Sequence, residues 1–182
     1  MGSGPVDGSS NLPGATYDGD FMAEGIDDGE NVNVAFCDLI EKEIPLNHDF
    51  FLYEASIRLA QANIGLAISS GSKLQETREI LDMLDTISSG IYDGDIKLLD
   101  EQRKKIRRTE ETWIDMKEKM SKADLRSAYL LSASAFMQEA LGHLVAARAD
   151  NDFSGFISDY AVKYLHKLSL YTYREAMGHV LM

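Results

Sequence analysis

The chain is poor in the residues that staple, break or anchor proteins. A single cysteine, Cys37, stands among 182 residues, which excludes an intramolecular disulfide and leaves no Cys/His cluster with zinc-finger spacing. Two of the three prolines and seven of the 14 glycines fall within residues 1–31, so the rest of the chain has few helix breakers. No apolar run approaches the roughly 20 residues of a membrane helix. The opening residues pair no basic n-region with an apolar h-region, and Val6 stands where a myristoylation signal needs Ser or Thr. A phosphate-binding Gly loop and a Gly-x-Ser-x-Gly elbow are both missing. These absences lead us to expect a chain of a reducing compartment, cytoplasmic or carried in a particle, with no membrane span and no cofactor.

Charge of one sign is also scarce where it would be informative. Of the net −12, residues 1–48 carry −9, ten acids against Lys42 alone, while residues 49–182 hold 20 acids against 17 bases. Residues 1–31 have too few apolar side chains to offset the entropy of ordering them, so they are expected to form a disordered acidic tail. An acidic arm on a nearly neutral body disfavours nucleic acid and suits a basic protein partner or self-association.

What is present is helical periodicity. No segment sustains two-residue alternation with β-branched enrichment, and no sheet is expected. Phe36, Leu39, Ile40 and Ile44 fit a short amphipathic helix over 32–44 that stops before Pro45. Main helices are expected over about 49–70, 73–88, 95–120, 123–149 and 156–180. The first has a seam of Phe50, Tyr53, Ile57, Ala60, Ile64 and Ala67, which Leu52, Leu59, Leu66 and Ile68 are expected to widen, with Gly71 as its stop. Ser89-Gly90 is expected to end the second. In the third, Leu99, Ile106, Trp113 and Met120 recur every seven residues while Arg103, Glu110 and Lys117 occupy the other half of the seam, leaving it half polar. Ser121 to Asp124 has a capping pattern that separates the third helix from the fourth; a continuous helix across that join is the alternative. The fold expected for residues 32–182 is an all-α antiparallel bundle of four to five helices.

Two heptapeptides echo one another: Glu139-Ala-Leu-Gly-His143-Leu-Val and Glu175-Ala-Met-Gly-His179-Val-Leu. Each sets a carboxylate and an imidazole at i, i+4 on one helix face. In that respect the chain resembles the carboxylate-bridged diiron bundle proteins, which implies Glu139, His143, Glu175 and His179 as metal ligands. Those proteins use Glu-x-x-His with further inward Glu residues, where this chain has Glu-x-x-x-His. In a hairpin turning near Asp152, residues whose numbers sum to about 304 lie level. The two Glu/His pairs then stand roughly 15 Å apart along the axis, so only two copies of the chain can bring them together.

Arg174-x-x-x-x-His179 is similar to the Arg-x(4–6)-His element of HEPN-type ribonucleases, which implies Arg174 and His179 as catalytic residues. Those enzymes follow the Arg with Asn, Asp or His, where this chain has Glu175.

Arg103, Lys104, Lys105, Arg107 and Arg108 form the one basic cluster, with Asp100 and Glu101 a turn before it. It reads as a salt-bridged face, or as a surface for a partner or for the acidic tail. With Trp113, and with Tyr164 and Tyr171 from the tyrosine-rich last helix, it makes up the candidate partner-binding set. The function expected is a non-enzymatic interaction or structural protein: an adaptor, an assembly chaperone or a component of a larger complex, often self-associating. The alternative is an enzyme or metal-binding bundle with Glu/His pairs at a homodimer interface, or a HEPN-like ribonuclease.

Overall fold

In the computed structural model, residues 33–107, 121 and 124–178 are described. The expected tail over 1–31, the second half of the expected third helix, and Arg108, Trp113 and His179 lie outside them. The described residues form five helices and one small hairpin: β1 (Val34–Cys37), β2 (Lys42–Pro45), α1 (Asp49–Ser69), α2 (Leu74–Tyr92), α3 (Asp100–Arg107), α4 (Leu125–Arg148) and α5 (Asp159–Gly178). The architecture is an all-α antiparallel bundle. No helix among the described residues is long and apolar enough to cross a membrane.

Four helices form a closed ring in which α1 packs on α4, α4 on α5, α5 on α2 and α2 on α1. The residue pairs fix their directions. Tyr92 at the end of α2 meets Glu54 near the start of α1, and His143 near the end of α4 meets Asp49 at the start of α1. Every neighbour in the ring is therefore antiparallel. Ser134 Oγ donates to Ser169 O at 2.9 Å, a level sum of 303 that matches the expected α4/α5 hairpin. The α1/α4 pair packs most extensively, because Ala60 and Ala67 on one helix and Ala133, Ala140 and Ala147 on the other are all buried and let the backbones approach.

Beyond α2 the chain crosses to α5, on which α3 rides. Leu98 N–H donates to the Tyr160 hydroxyl at 2.8 Å, and Ile106 is fully buried. Gly90 is what lets this crossing start. A Cβ there would stand 2.8 Å from the Ile96 carbonyl oxygen, so α2 runs on through Ser89-Gly90 to Tyr92, and the glycine serves a close approach rather than a stop. Asp124 is extended (φ −79, ψ 170) and accepts from Ser127 N–H. That N-cap separates α4 from what precedes it and rules out one continuous helix across the join.

The expected helix over 32–44 is an antiparallel hairpin, with Ala35 opposite Ile44 and Cys37 opposite Lys42. Cys37 and Ile44 turn inward and are buried, whereas Phe36, which the helical spacing placed in the core, is 58% exposed. A run this short fits both periods. The hairpin places Cys37, Leu39 and Ile44 in the buried core of the bundle, and Glu41 takes a left-handed turn conformation (φ 52) that a right-handed helix does not allow.

Candidate interaction surface

The outer face of α1 is the most unusual surface of the described chain. The inner seam of this helix is as the spacing predicts, with Phe50, Tyr53, Ile57, Ala60, Ile64 and Ala67 all buried. A second seam is the first shifted by two residues: Leu52, Ala55, Leu59, Ala62, Leu66 and Ser69. Two residues turn an α-helix by about 200°, so the second seam lies opposite the first and cannot widen it. The structure leaves Leu52 37%, Leu59 47% and Leu66 47% exposed, with Ala55, Ala62 and Ser69 exposed between them. The expectation that the three leucines extend the buried stripe is corrected by this geometry.

The polar groups beside the second seam are turned back onto their own helix. Asn63 Nδ2 donates to Leu59 O at 2.8 Å, Ser69 Oγ donates to Gly65 O at 3.0 Å, and Arg58 lies 3.8 Å from Glu54. No charged residue occurs from Leu59 to Ser72. Charged residues make up 26% of the chain, so a charge-free surface stretch of this length is an exposed apolar patch and not an ordinary solvated face.

At one end of the bundle, polar contacts lock the hairpin and the start of α1 to the end of α4. His48 caps α1 by accepting from Phe50 N–H at Nδ1 (3.1 Å), and its Nε2 faces Asp150 at 3.5 Å. Asp150 also accepts from Asp152 N–H; that bond first, and His48 second, hold its carboxyl below the usual carboxylate range. Phe153, fully buried in the α4–α5 loop, stacks on His48 at 4.9 Å and packs on Phe50 at 5.0 Å. Sequence reading missed Phe153 because no periodicity marks a loop residue.

At the opposite end, Arg126 is fully buried. Its Nε donates to Thr77 Oγ1 at 2.8 Å, and its two terminal nitrogens have no hydrogen-bond partner. Burial lowers its pKa from the ordinary arginine value, and the carboxylates of Glu175, Asp124 and Glu76 oppose that shift. Three surrounding carboxylates disfavour an anionic ligand here, and the group reads as a structural cation. Between α1 and α2, a cleft of about 300 Å³ is lined by residues including Tyr53, Glu54, Arg58, Ser88 and Tyr92. The buried Tyr53 hydroxyl finds no partner within bonding geometry. Burial holds its pKa well above the usual tyrosine value, with the nearby Ser88 hydroxyl opposing.

The residues singled out by sequence are dispersed. His143 Nδ1 lies 2.8 Å from Asp49 Oδ1, so its partner comes from α1 and not from Glu139, which is exposed. Glu175 acts electrostatically on Arg126, 17 residues along α4 from His143, or roughly 25 Å. Arg174 lies over the Tyr171 ring at 5.2 Å and 3.9 Å from Glu175. Among the described residues no three His, Cys, Asp or Glu side chains are grouped as a metal site would need.

The basic cluster is largely engaged within the chain. Arg103 pairs with Asp100, Lys105 pairs with Glu79 of α2, and Arg107 donates to the Tyr164 hydroxyl at 3.0 Å; Lys104 is exposed. Tyr164 and Tyr171 are 3% and 2% exposed. As candidates for contact with a partner they are corrected to core residues, because α3 covers their side of α5.

No curated protein matches the chain. Over residues 36–178, nearly the whole bundle, it matches a family described as a domain of unknown function (DUF1940), and the chain belongs to that family.

Proposed function

We propose that this chain is a helical interaction or structural protein that works by presenting a helix face to another protein. The observation that supports this reading is the outer seam of α1, three exposed leucines alternating with small residues, of which Leu59 and Leu66 stand on a stretch without charge. Exposing such a patch to water is unfavourable by about 25 cal/mol per Å² of apolar surface, and covering it removes that cost. The internal pairing of Arg103, Lys105 and Arg107 leaves the basic cluster less to offer a partner, so the contact surface moves to α1.

The seven acidic residues among positions 1–31, with no basic residue beside them, add an attraction for a basic partner surface. The compartment consistent with one cysteine, buried in the hairpin, is a reducing one such as the cytoplasm.

The test is the native mass of the chain in a clarified lysate of its host, by size exclusion with immunodetection. A mass well above the 20.2 kDa of one chain is expected. Elution as a single chain at endogenous concentration would count against the reading.

A further inference from the structure

We infer that the partner of the α1 face is a second copy of this chain, packed antiparallel about a two-fold axis that passes between Ala60 and Gln61. This rests on the interaction reading above and names its occupant. The outer seam reads Leu52, Ala55, Leu59, Ala62, Leu66, Ser69. An isologous two-fold contact pairs residues whose numbers have a constant sum. With a sum of 121, Leu52 meets Ser69, Ala55 meets Leu66, and Leu59 meets Ala62 of the second copy. Every leucine then faces a small residue, on both chains and along all six positions. A parallel pairing sets leucine against leucine and alanine against alanine, so its small layers stay empty, against the close packing that protein interfaces require.

Three further observations fit this occupant. The seam spans 18 residues, from Leu52 to Ser69, or roughly 25 Å, with straight 3-4 spacing throughout, which is the repeat that keeps two helices in register. Asn63 beside the seam and Ser69 within it each donate to a carbonyl of their own helix, which lowers the cost of covering the face. Within α1 the same register brings no two like charges level, since Glu54 faces Ala67 and Arg58 faces Asn63 of the second copy.

One helix face of this length buries less than the roughly 800 Å² per partner of a standard interface. Pairing is therefore a concentration-dependent equilibrium.

Sedimentation velocity of the full chain over about 1–500 µM, the range suited to a small interface, tests the pairing. The expected mass rises from one chain toward two. Leu59→Lys is expected to weaken association at least tenfold, about 1.4 kcal/mol, while its circular dichroism and dilute melting temperature match the parent, since Leu59 is half exposed.

Register is read separately by disulfide trapping, Cys37 being buried. A mixture of Leu59→Cys and Ala62→Cys chains is expected to cross-link faster than a mixture of Leu59→Cys and Ser69→Cys chains, whose positions stand about 10 Å out of level. A mass that stays at one chain throughout, a dimer that survives Leu59→Lys, or equal trapping in both mixtures overturns the proposal. A single-chain mass for purified protein beside a large native mass in lysate would remove self-pairing and leave the broader interaction reading standing.

Discussion

Two single residues show how local rules are overridden in this bundle. The Thr77 hydroxyl donates to Lys73 O at 2.9 Å and accepts from Arg126 Nε at 2.8 Å, so one buried oxygen starts α2 and satisfies part of a buried cation. Thr77→Val keeps the shape and removes both bonds. It is expected to cost about 1.5–3 kcal/mol in urea unfolding, because a charged donor is left unpaired. Arg126→Met is expected to cost less despite the larger deletion, since replacing a buried charge by an apolar side chain is often neutral or stabilising.

Gly90→Ala has two opposed contributions. Helix propensity favours alanine by about 1 kcal/mol, but the new methyl would press on the Ile96 carbonyl. Backbone cannot rotate away as a side chain does. A net loss of about 1–3 kcal/mol is expected, read as a lowered urea midpoint. A gain in stability would mean that the 93–96 turn yields.

At the scale of elements, α1 is the informative one because it is apolar on opposite sides. Its inner and outer seams have similar composition, and truncation separates them. Ile64→Ala is expected to cost about 2–5 kcal/mol as a core cavity, whereas Leu66→Ala in dilute protein is expected to stay within about 1 kcal/mol. Similar costs for both would show that the outer seam is covered within a single chain. The hairpin is the element that sequence reading mistook, and the reason is specific. Phe36, Leu39, Ile40 and Ile44 fit a helical face, but residues 34–37 also alternate, with Ala35 and Cys37 on one side and Val34 and Phe36 on the other. Nothing local distinguishes the two. Burial of Cys37, Leu39 and Ile44 against the rest of the bundle does.

At the scale of the whole molecule, the joint between the hairpin, α1 and the end of α4 is where pH acts. The folded pKa of Asp150 is depressed by Asp152 N–H and His48, so its stabilising contribution is present above the ordinary carboxylate range and is lost as pH falls through the lowered folded value. Thermal melts from neutral to about pH 2 should therefore show a steeper acid loss for the parent than for Asp150→Asn, which keeps an acceptor for Asp152 N–H. Identical slopes would place the acid sensitivity elsewhere, with Lys42, Asp49, His143 and Asp152 as the other charged or titratable groups of that joint.

The amino-acid sequence by itself determined the helix class, the inner seam of α1 and the Gly71 stop, which follow from 3.6-residue periodicity and capping and are local, while it left the join before α4 open and misplaced the hairpin. The tertiary structure alone decided which residues meet and which remain outside. It gave His143 an aspartate on α1 instead of its neighbour in the echoed motif, buried Tyr164 and Tyr171 beneath α3, and turned the leucines of α1 toward water. Periodicity states that two faces of a helix differ by 200°; only packing against α2 and α4 states which of the two is already taken.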